Sequence, residues 1–554
     1  MRIILRPLPR LPRRGAVALL ALLLPAACAS DNLDLTHSED SVGAPVTGGA
    51  TLSGNYLAGR HAQSSRALPE ASLYLGRALE LSPQSEDLLR RTFILMASEG
   101  RIEEAAPLAA KVLENRPDAS IAGLAVVVND LKHSRWDGAS KKIAELPDSG
   151  LNNYMAPLLS AWAAIAEGEN AAAAIDNLKP LQKDGSMPLY HLHKALIYDF
   201  KGDFEKALGS YQDGIKVQGG ISLRIVEFLG NLYERSGKTD KAEALYAEYA
   251  KRNPQSPVTR QALKRVRAGQ ISQPILTSAN DGAAEGFFGI ATTLSQQNAQ
   301  ETALLFARLG LYLQPDFPVM QILLGNILQS DSQLENANVV YQGIDTGSAY
   351  SWPARMRVAE NLDDLDRTED AANALKAMAA EEPDQYDPLV RLGDILRSRE
   401  RFEEAVVAYD QAFERIGDIK RHHWSLLYAR GIVLERSKQW DRAEVDFLKA
   451  LEFEPDQPFI LNYLGYSWVD QGKYLDRAKE MIRKAVSLRP NDGYIVDSLG
   501  WAHFRLGEFK ESAKEMERAV EMRPEDPILN DHLGDALWRV DRKIEARYQW
   551  QRVL

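Results

Sequence analysis

The sequence predicts an all-α protein built from repeated pairs of helices. Glycines recur in the last quarter at steps of 34 or 35 residues, at Gly431, Gly465, Gly500 and Gly534. Apolar residues at three- and four-residue spacing around each glycine predict the buried stripe of a helix. Prolines are expected to end the second helix of each pair, because proline lacks an N–H donor and disfavours helix in the residue before it. These prolines are Pro455, Pro490 and Pro524.

The residue types within one unit follow from the packing of two helices. A well-formed unit contains Trp424, Leu427, Gly431, Leu434, Ala443, Phe447, Ala450 and Pro455. Gly431 and Ala443 are small, so the two backbones can approach closely where the helices cross. Trp468 falls on the buried stripe of the next unit and is predicted to pack between helices. An extra residue near Tyr474 is expected in the turn between paired helices, where insertions usually fall.

The same period extends towards the N-terminus. Small residues recur at steps of 34, at Gly325, Ala359 and Gly393 and at Ala303, Ala337, Ala371 and Ala405. Clear units surround Gly59 and Gly230, whereas two degenerate units are expected between Pro117 and Ser186. The chain is therefore predicted to contain about 12–14 units.

In spacing and residue type, residues 52–554 resemble the tetratricopeptide repeat (TPR) family. The resemblance implies a helix–turn–helix solenoid that forms a right-handed superhelix, with the first helix of each unit lining a concave groove. Such arrays usually present a binding surface for other proteins rather than a catalytic pocket. The expected fold is therefore an all-α TPR solenoid that follows an export signal and a tether.

The N-terminus has the features of a bacterial export signal. Five arginines precede a short apolar run, Ala16 to Leu24, which is too short to span a membrane comfortably. Cys28 follows small residues in a pattern that resembles the lipobox of bacterial lipoproteins, which implies cleavage before Cys28, lipidation and an outer-membrane location. Pro25 departs from that pattern. The alternative is an ordinary cleavage site before Ser30 and a soluble periplasmic protein without Cys28.

These features divide the chain into five predicted segments. They are a signal peptide (1–27), a flexible tether (28–51), an N-terminal TPR block (52–267), a linker or hinge (268–281) and a C-terminal TPR block (282–554). The linker is placed where the repeat register breaks, because Pro254 and Pro315 are 61 residues apart, not two whole periods. A loop within one continuous superhelix is the alternative to a hinge.

Charge and cysteine content exclude several classes of protein. The net charge is −11, and loss of residues 1–27 with their five arginines moves it to −16. Such an acidic protein is a poor candidate for binding nucleic acid. Cys28 is the only cysteine, so no disulfide can form within the chain.

No catalytic or metal-binding motif stands out. The chain has no phosphate-binding loop and no paired-cysteine metal site, and His191 and His193 would point to different faces of a helix. Nothing near Ser467 or Ser498 supplies an evident base. We therefore expect no cofactor, no metal and no enzyme activity.

The TPR resemblance implies that groove residues lie on the first helices of the last three units. The candidates are Asn462, Tyr466, Asp497, Trp501, Phe504, Asp531, Asp535, Trp538 and Arg539. Aromatic and arginine side chains dominate binding energy at interfaces, but packing between units is the alternative for Trp501 and Trp538. Ile544, Trp550 and Val553 are expected to leave an apolar C-terminal end for dimerisation or docking, with a self-covered helix as the alternative.

The expected function is a protein-binding scaffold of the bacterial cell envelope. Its partners would belong to an assembly such as outer-membrane protein insertion or polysaccharide export, and its membrane attachment would be the lipid at Cys28. A soluble periplasmic chaperone or adaptor is one alternative. A cell-wall enzyme that uses groove carboxylates is the other.

Overall fold

The computed structural model of the protein describes residues 51–183 and 185–553. Over these residues the chain forms 29 α-helices and two short 3-10 helices, Lys179–Leu181 and Arg421–His423, and no strand. The first helices in chain order are α1 (Leu52–Ser64), α2 (Leu68–Leu81), α3 (Glu86–Glu99), α4 (Ile102–Asn115), α5 (Ser120–Lys132), α6 (Trp136–Ala144), α7 (Asn152–Ala166), α8 (Ala171–Asp176), α9 (Met187–Phe200), α10 (Phe204–Gln218), α11 (Leu223–Arg235), α12 (Thr239–Arg252), α13 (Pro257–Arg267), α14 (Ala279–Gln296) and α15 (Gln300–Leu313).

The remaining helices continue the series to the end of the described chain. They are α16 (Pro318–Ser330), α17 (Leu334–Gln342), α18 (Ser351–Asp364), α19 (Thr368–Glu381), α20 (Asp387–Ser398), α21 (Phe402–Ile416), α22 (Trp424–Arg436), α23 (Trp440–Phe453), α24 (Pro458–Asp470), α25 (Leu475–Leu488), α26 (Gly493–Arg505), α27 (Phe509–Met522), α28 (Pro527–Arg539) and α29 (Lys543–Gln551). None of these described helices is long and apolar enough to span a bilayer.

The turn inside each helical pair requires one residue in the left-handed region. In the middle of the chain this residue recurs at steps of 34, at Asn298, Ser332, Asp366 and Glu400. Glycine takes the same role at Gly237 and Gly507, where a positive φ carries no steric cost. Tyr474, also at positive φ, directly precedes α25, so the extra residue lies in the turn between paired helices as expected.

A small residue on the first helix accommodates an aromatic side chain from the second. A Cβ added to Gly230 would overlap the ring of Tyr246, and one added to Gly431 would lie 2.6 Å from the ring of Phe447. The glycines at these crossings are therefore required by close packing of the pair, as the sequence predicted. Trp468 is also buried, and its indole nitrogen donates a hydrogen bond of 2.5 Å to Glu444.

The described chain divides into two compact units, residues 51–361 and 362–553. In the N-terminal unit, helices pair in sequence from α1–α2 to α11–α12, and α13 packs against α12 without a following helix of its own. The helices on both sides of residues 268–281 belong to this one unit. That residues 268–281 act as a hinge stays a prediction.

The segment between α13 and α14 is held by side chains of α11. The carboxylate of Glu234 accepts hydrogen bonds from the Ser272 N–H and from Arg265. The Asn231 amide donates to the Ser272 hydroxyl and to the Gln273 carbonyl, each at 2.7 Å. Burial of Glu234 opposes its ionisation, but the hydrogen bonds that its carboxylate accepts, including those from Arg265 and the Ser272 N–H, outweigh burial and lower its pKa. The chain therefore leaves α13 along a defined path.

Candidate functional site

Each helical pair has a first-helix face, which we define as the side of its first helix that points away from its second helix. In the N-terminal unit the chain itself covers this face on α3, α5, α7 and α9. Helix α15 packs against α3 and α5, and α14 packs against α7 and α9. The pair α14–α15 therefore occupies the surface where the repeat pattern predicted a groove.

Hydrogen bonds fasten α15 to the first helices beneath it. The Arg308 guanidinium donates to the Ser98 carbonyl at 3.0 Å, and the Tyr312 hydroxyl donates to Asn129 at 2.9 Å. Burial of Arg308 lowers the pKa of its guanidinium to about 10. Because these polar groups are paired and largely buried, the first-helix face of α3 and α5 is closed to a partner in this conformation.

Small residues let α14 approach α7 and α9. A Cβ added to Gly282 would overlap the indole of Trp162, and one added to Gly286 would lie 3.1 Å from Leu158. Beyond α9, the buried carboxylate of Glu285 forms an ion pair with Arg224 of α11. Sequence analysis missed this covering helix, although Gly282, Gly286 and Gly289 lie at the i, i+4 and i+7 spacing of one helix face.

The described helices of the C-terminal unit form no corresponding cover of their own. Its first helices include α24, α26 and α28, which contact one another in sequence, and no other helix of this unit packs across their first-helix face in the described residues. The sequence-predicted groove residues lie on these three helices. This face is the candidate binding site.

At its centre lies a group of residues that we call the Asp497 cluster: Asp497, Trp501, Phe504 and His532. Nδ1 of His532 lies 2.8 Å from Oδ2 of Asp497. The ring of Trp501 stacks on His532 with centroids 4.4 Å apart and on Phe504 with centroids 5.0 Å apart. The cluster joins α26 to α28 and brings together three of the predicted residues.

The carboxylates around His532 set its protonation. Burial lowers the pKa of the imidazole, but Asp497, Asp531 and Asp535 outweigh burial, so that the pKa is raised above its usual 6.5. Burial, together with the neighbouring Asp531, raises the pKa of Asp535. Burial and the Asp497 carboxylate likewise raise the pKa of Tyr466, which lies on α24.

Several polar atoms of this face are buried without a hydrogen-bond partner in the described chain. They are Oδ1 of Asn462, Oδ1 of Asp497 and Nε1 of Trp501. Asp497 is only 4% exposed and Trp501 only 6%. A buried polar atom without a partner costs about 1–3 kcal/mol. These three atoms belong to the packed base of the face, beneath its accessible edge.

The outer part of the face is accessible. Asp531 and Arg539 are exposed, Asp535 is half-buried and Trp538 is 40% exposed. The Arg539 guanidinium lies 3.9 Å from the ring centroid of Phe509, and Trp538 packs against Trp550 with centroids 5.6 Å apart. Trp538 therefore combines packing with exposure, whereas Trp501 is almost wholly enclosed.

Sequence analysis missed His532, the residue that ties the cluster together. It is adjacent to Asp531, but a single histidine in a repeat carries no signal of its own. At the end of the described chain, Ile544 and Val553 are exposed while Trp550 packs over Gly534. An oligomer through this end stays a prediction.

The histidines that the sequence places close together do not belong to a metal-binding group in the described residues. Among the described residues, no group of three or more histidine, cysteine, aspartate or glutamate side chains is placed to hold a metal ion. His193 is buried, and its Nδ1 accepts a hydrogen bond of 3.0 Å from the Trp162 indole. Cys28 lies outside the described residues, so its lipidation stays a prediction.

Comparisons with known proteins found one repeat-family model and several solved structures. A family model described as tetratricopeptide repeat matches residues 192–257, 359–418, 464–527 and 498–554. A solved MamA structure (AMB-1) is 20% identical over 29% of this chain and 92% of its own, with a TM-score of 0.25. The APC/C hetero-tetramer Cut9–Hcn1 is 12% identical over 82% and 96%, with a TM-score of 0.32.

A third solved structure is the C-terminal part of a TPR repeat-containing protein from Cytophaga hutchinsonii. It is 15% identical over 36% of this chain and 77% of its own, with a TM-score of 0.30. No curated protein matches the chain significantly.

Proposed function

Because this chain is a tetratricopeptide-repeat protein, we propose that it is a scaffold of the bacterial cell envelope that holds partner polypeptides on the first-helix face of its C-terminal unit. TPR domains bind other proteins, and this face presents exposed aromatic and charged side chains. The single observation that carries the proposal is the contrast between two faces: α14–α15 pack across one, and no described helix of its own unit packs across the other.

The binding mode follows from the chemistry of the face. Asp531 and Asp535 offer carboxylates at its accessible edge, and Trp538 offers an exposed ring. Aromatic anchors surrounded by polar groups are the residues that dominate binding energy at protein interfaces. Binding alone, without chemical turnover, is the role this arrangement supports.

We further propose that the scaffold is attached to the outer membrane through a lipid on Cys28 and faces the periplasm. Support comes from the sequence: an arginine-rich start, a short apolar run and small residues before Cys28. More than one acyl chain would make the attachment firm, because a single chain binds a bilayer only marginally. The partners would then be components of an envelope assembly, such as outer-membrane protein insertion or polysaccharide export.

A photo-crosslinking residue placed separately at Asp531 and at Trp538 tests the scaffold proposal in intact cells. The control position is Val445 on α23, which is 64% exposed on a second helix of the same unit. We expect discrete crosslinked proteins at the two face positions and none at Val445. Equal crosslinking at all three positions, or none at the face, would contradict the proposal.

A soluble periplasmic adaptor is the second candidate, and Pro25 is the observation that favours it, since it departs from the lipobox pattern. The intact mass of the mature N-terminus separates the two candidates. A lipidated Cys28 as the first residue, with release to the soluble fraction by Cys28→Ser, supports the anchor. An unmodified mature chain that starts at Ser30 supports the adaptor.

A further inference from the structure

Helix α13 is the first half of a helical pair whose second half is missing. It follows α12 at the usual repeat spacing and packs against it through Ala262 and Val266. Residues 268–278, which follow α13, lie outside helices, and the next helix, α14, packs elsewhere in the unit. No described helix therefore pairs with α13 as α12 pairs with α11.

The repeat register shows which side of α13 is left without its helix. One period earlier, Val226, Leu229, Gly230 and Tyr233 form the side of α11 that faces α12. The residues 34 positions later are Arg260, Leu263, Lys264 and Arg267. Lys264 thus occupies the place where Gly230 makes room for Tyr246. A side that is apolar and small in α11 has become basic in α13.

This side of α13 forms the wall of a cleft of about 690 Å³. The lining includes all four register positions, together with Ala250 and Pro254 at the end of α12 and the hydroxyl residues Ser256 and Thr259. The cleft therefore has an apolar floor where a second helix would pack, with cations beside it. Its shape is that of an incomplete helical pair.

The cleft carries positive charge in an otherwise acidic protein. Helix α13 contains four basic residues and no acidic residue, whereas the whole chain has a net charge of −11. Arg265 is paired with the buried Glu234, and Arg267 lies 2.8 Å from Glu243. Lys264 is exposed and has no carboxylate partner in the described chain. Complementary charge favours an anionic occupant.

We propose that this cleft binds an acidic amphipathic helix of a partner protein, which lies beside α13 on the side where a second helix of its own is missing. Docking of an amphipathic helix into an apolar groove is a common mode of peptide recognition. A concave cleft with an apolar floor fits a helix better than a flat anionic membrane, which would meet only the protruding cations. This surface is separate from the first-helix face of the C-terminal unit and adds a second binding site to the scaffold.

Two second helices of the chain itself supply matched probes. A fluorescein-labelled peptide copy of Phe402–Ile416 is amphipathic with a net charge of −3, from four acids and one arginine. A copy of Leu475–Leu488 is amphipathic with a net charge of +2, from four bases and two acids. Fluorescence anisotropy with the full chain is expected to show binding of the acidic peptide and much weaker binding of the basic one.

Variants then locate the binding. Lys264→Glu with Arg267→Glu is expected to weaken the acidic peptide by at least about tenfold, since like charges across an interface are strongly unfavourable. Lys216→Glu with Lys449→Glu makes the same charge change at two exposed sites outside the cleft and is expected to have little effect. Lys264→Gln removes one charge without adding another and repeats the test in a milder variant. Thermal unfolding followed by circular dichroism shows whether each variant is folded.

Four results would overturn the proposal. They are no binding of the acidic peptide, equal binding of the basic peptide, equal weakening by the two double variants, and weakening by Arg539→Glu instead of by the cleft variant. The last result would place the peptide on the C-terminal face. Binding of the protein to phosphatidylglycerol vesicles through Lys264, without binding of the peptide, would identify the cleft as a lipid site.

Discussion

His532 and Asp497 form a buried pair that links two successive first helices of the C-terminal unit. Nδ1 and Oδ2 are 2.8 Å apart, and the indole of Trp501 stacks on the imidazole with centroids 4.4 Å apart. Removal of either charged partner would leave the other buried without compensation, which is strongly destabilising in most proteins. The pair therefore holds α26 and α28 together beneath the candidate binding face.

The stability of the C-terminal unit is expected to depend on the charge of His532. Neighbouring carboxylates hold its pKa above 6.5 in the folded chain. A raised histidine pKa contributes stability that is fully present below the unfolded value and is lost as pH rises through the folded pKa. The difference in unfolding free energy between wild type and His532→Gln should therefore decrease at up to about 1.4 kcal/mol per pH unit above about pH 6.5.

Urea unfolding from about pH 6 to about pH 9 measures this difference. Other titrating groups are shared by the two proteins and cancel in the comparison. A wild-type-minus-variant difference that does not change with pH would show that folding does not raise the pKa of His532.

His193, in the N-terminal unit, is expected to respond to pH in the opposite direction. Burial lowers its pKa to about 3, and the ring is held as an acceptor by the Trp162 indole. A depressed histidine pKa contributes stability above about 6.5 that is lost as pH falls towards the folded value. Relative to His193→Gln, the wild type should lose up to about 1.4 kcal/mol per pH unit below about pH 6.5.

Hydrogen exchange of amides in α7 and α9, compared between wild type and His193→Gln at matched pH, reports this loss. The prediction fails if acidification weakens protection equally in both proteins, because the effect would then come from other groups.

Gly282 is expected to be essential for the packing of α14 on α7. The methyl group of Gly282→Ala would overlap the Trp162 indole, and overpacking of this kind costs about 1–3 kcal/mol. Gly209→Ala in α10 is the matched control, because no atom lies within 4 Å of its added Cβ. That control should stabilise the protein by about 0.5–1 kcal/mol through helix propensity.

Thermal unfolding of both glycine variants measures the contrast. If Gly282→Ala were as stable as the control, α14 would not lie against Trp162 in solution, and the first-helix face of the N-terminal unit would be open.

Glu234 is expected to hold the segment between α13 and α14. It is buried and accepts hydrogen bonds from Arg265, Tyr246 and the Ser272 N–H. Glu234→Ala leaves Arg265 without its partner and should cost about 3–5 kcal/mol. Glu243→Ala removes an exposed ion pair with Arg267 and should cost about 0–1 kcal/mol.

Chemical unfolding gives the two costs, and proteolysis between Ala268 and Ser278 reports the local effect. Faster cleavage in Glu234→Ala than in Glu243→Ala is expected. Equal and slow cleavage in both variants would mean that other contacts hold this segment.

Much of the fold was predictable because the repeat signal is local. The glycine at each helix crossing, the left-handed turn residue and the proline after the second helix all act within one unit of about 34 residues. Even the extra turn residue at Tyr474 could be located from spacing alone. The residues that line the candidate face were predictable as a group, because their positions on the first helices repeat from unit to unit.

The covering pair α14–α15 could not be predicted from this local signal. Its contacts join residues far apart in the chain, such as Arg308 with Ser98 and Tyr312 with Asn129. A repeat pattern predicts only contacts between neighbouring units. The glycines at 282, 286 and 289 were visible in the sequence, but the helices that they approach were not.

The sequence by itself determined the all-α class, the helix-pair unit and the first helices that carry the candidate residues, because helix periodicity and turn chemistry act over short stretches of chain. Only the tertiary structure decided that one first-helix face is covered by the chain and that His532 joins the Asp497 cluster. The same holds for α13, whose basic side lines a cleft where the second helix of its pair would lie. These outcomes depend on packing between distant segments, which periodicity does not encode.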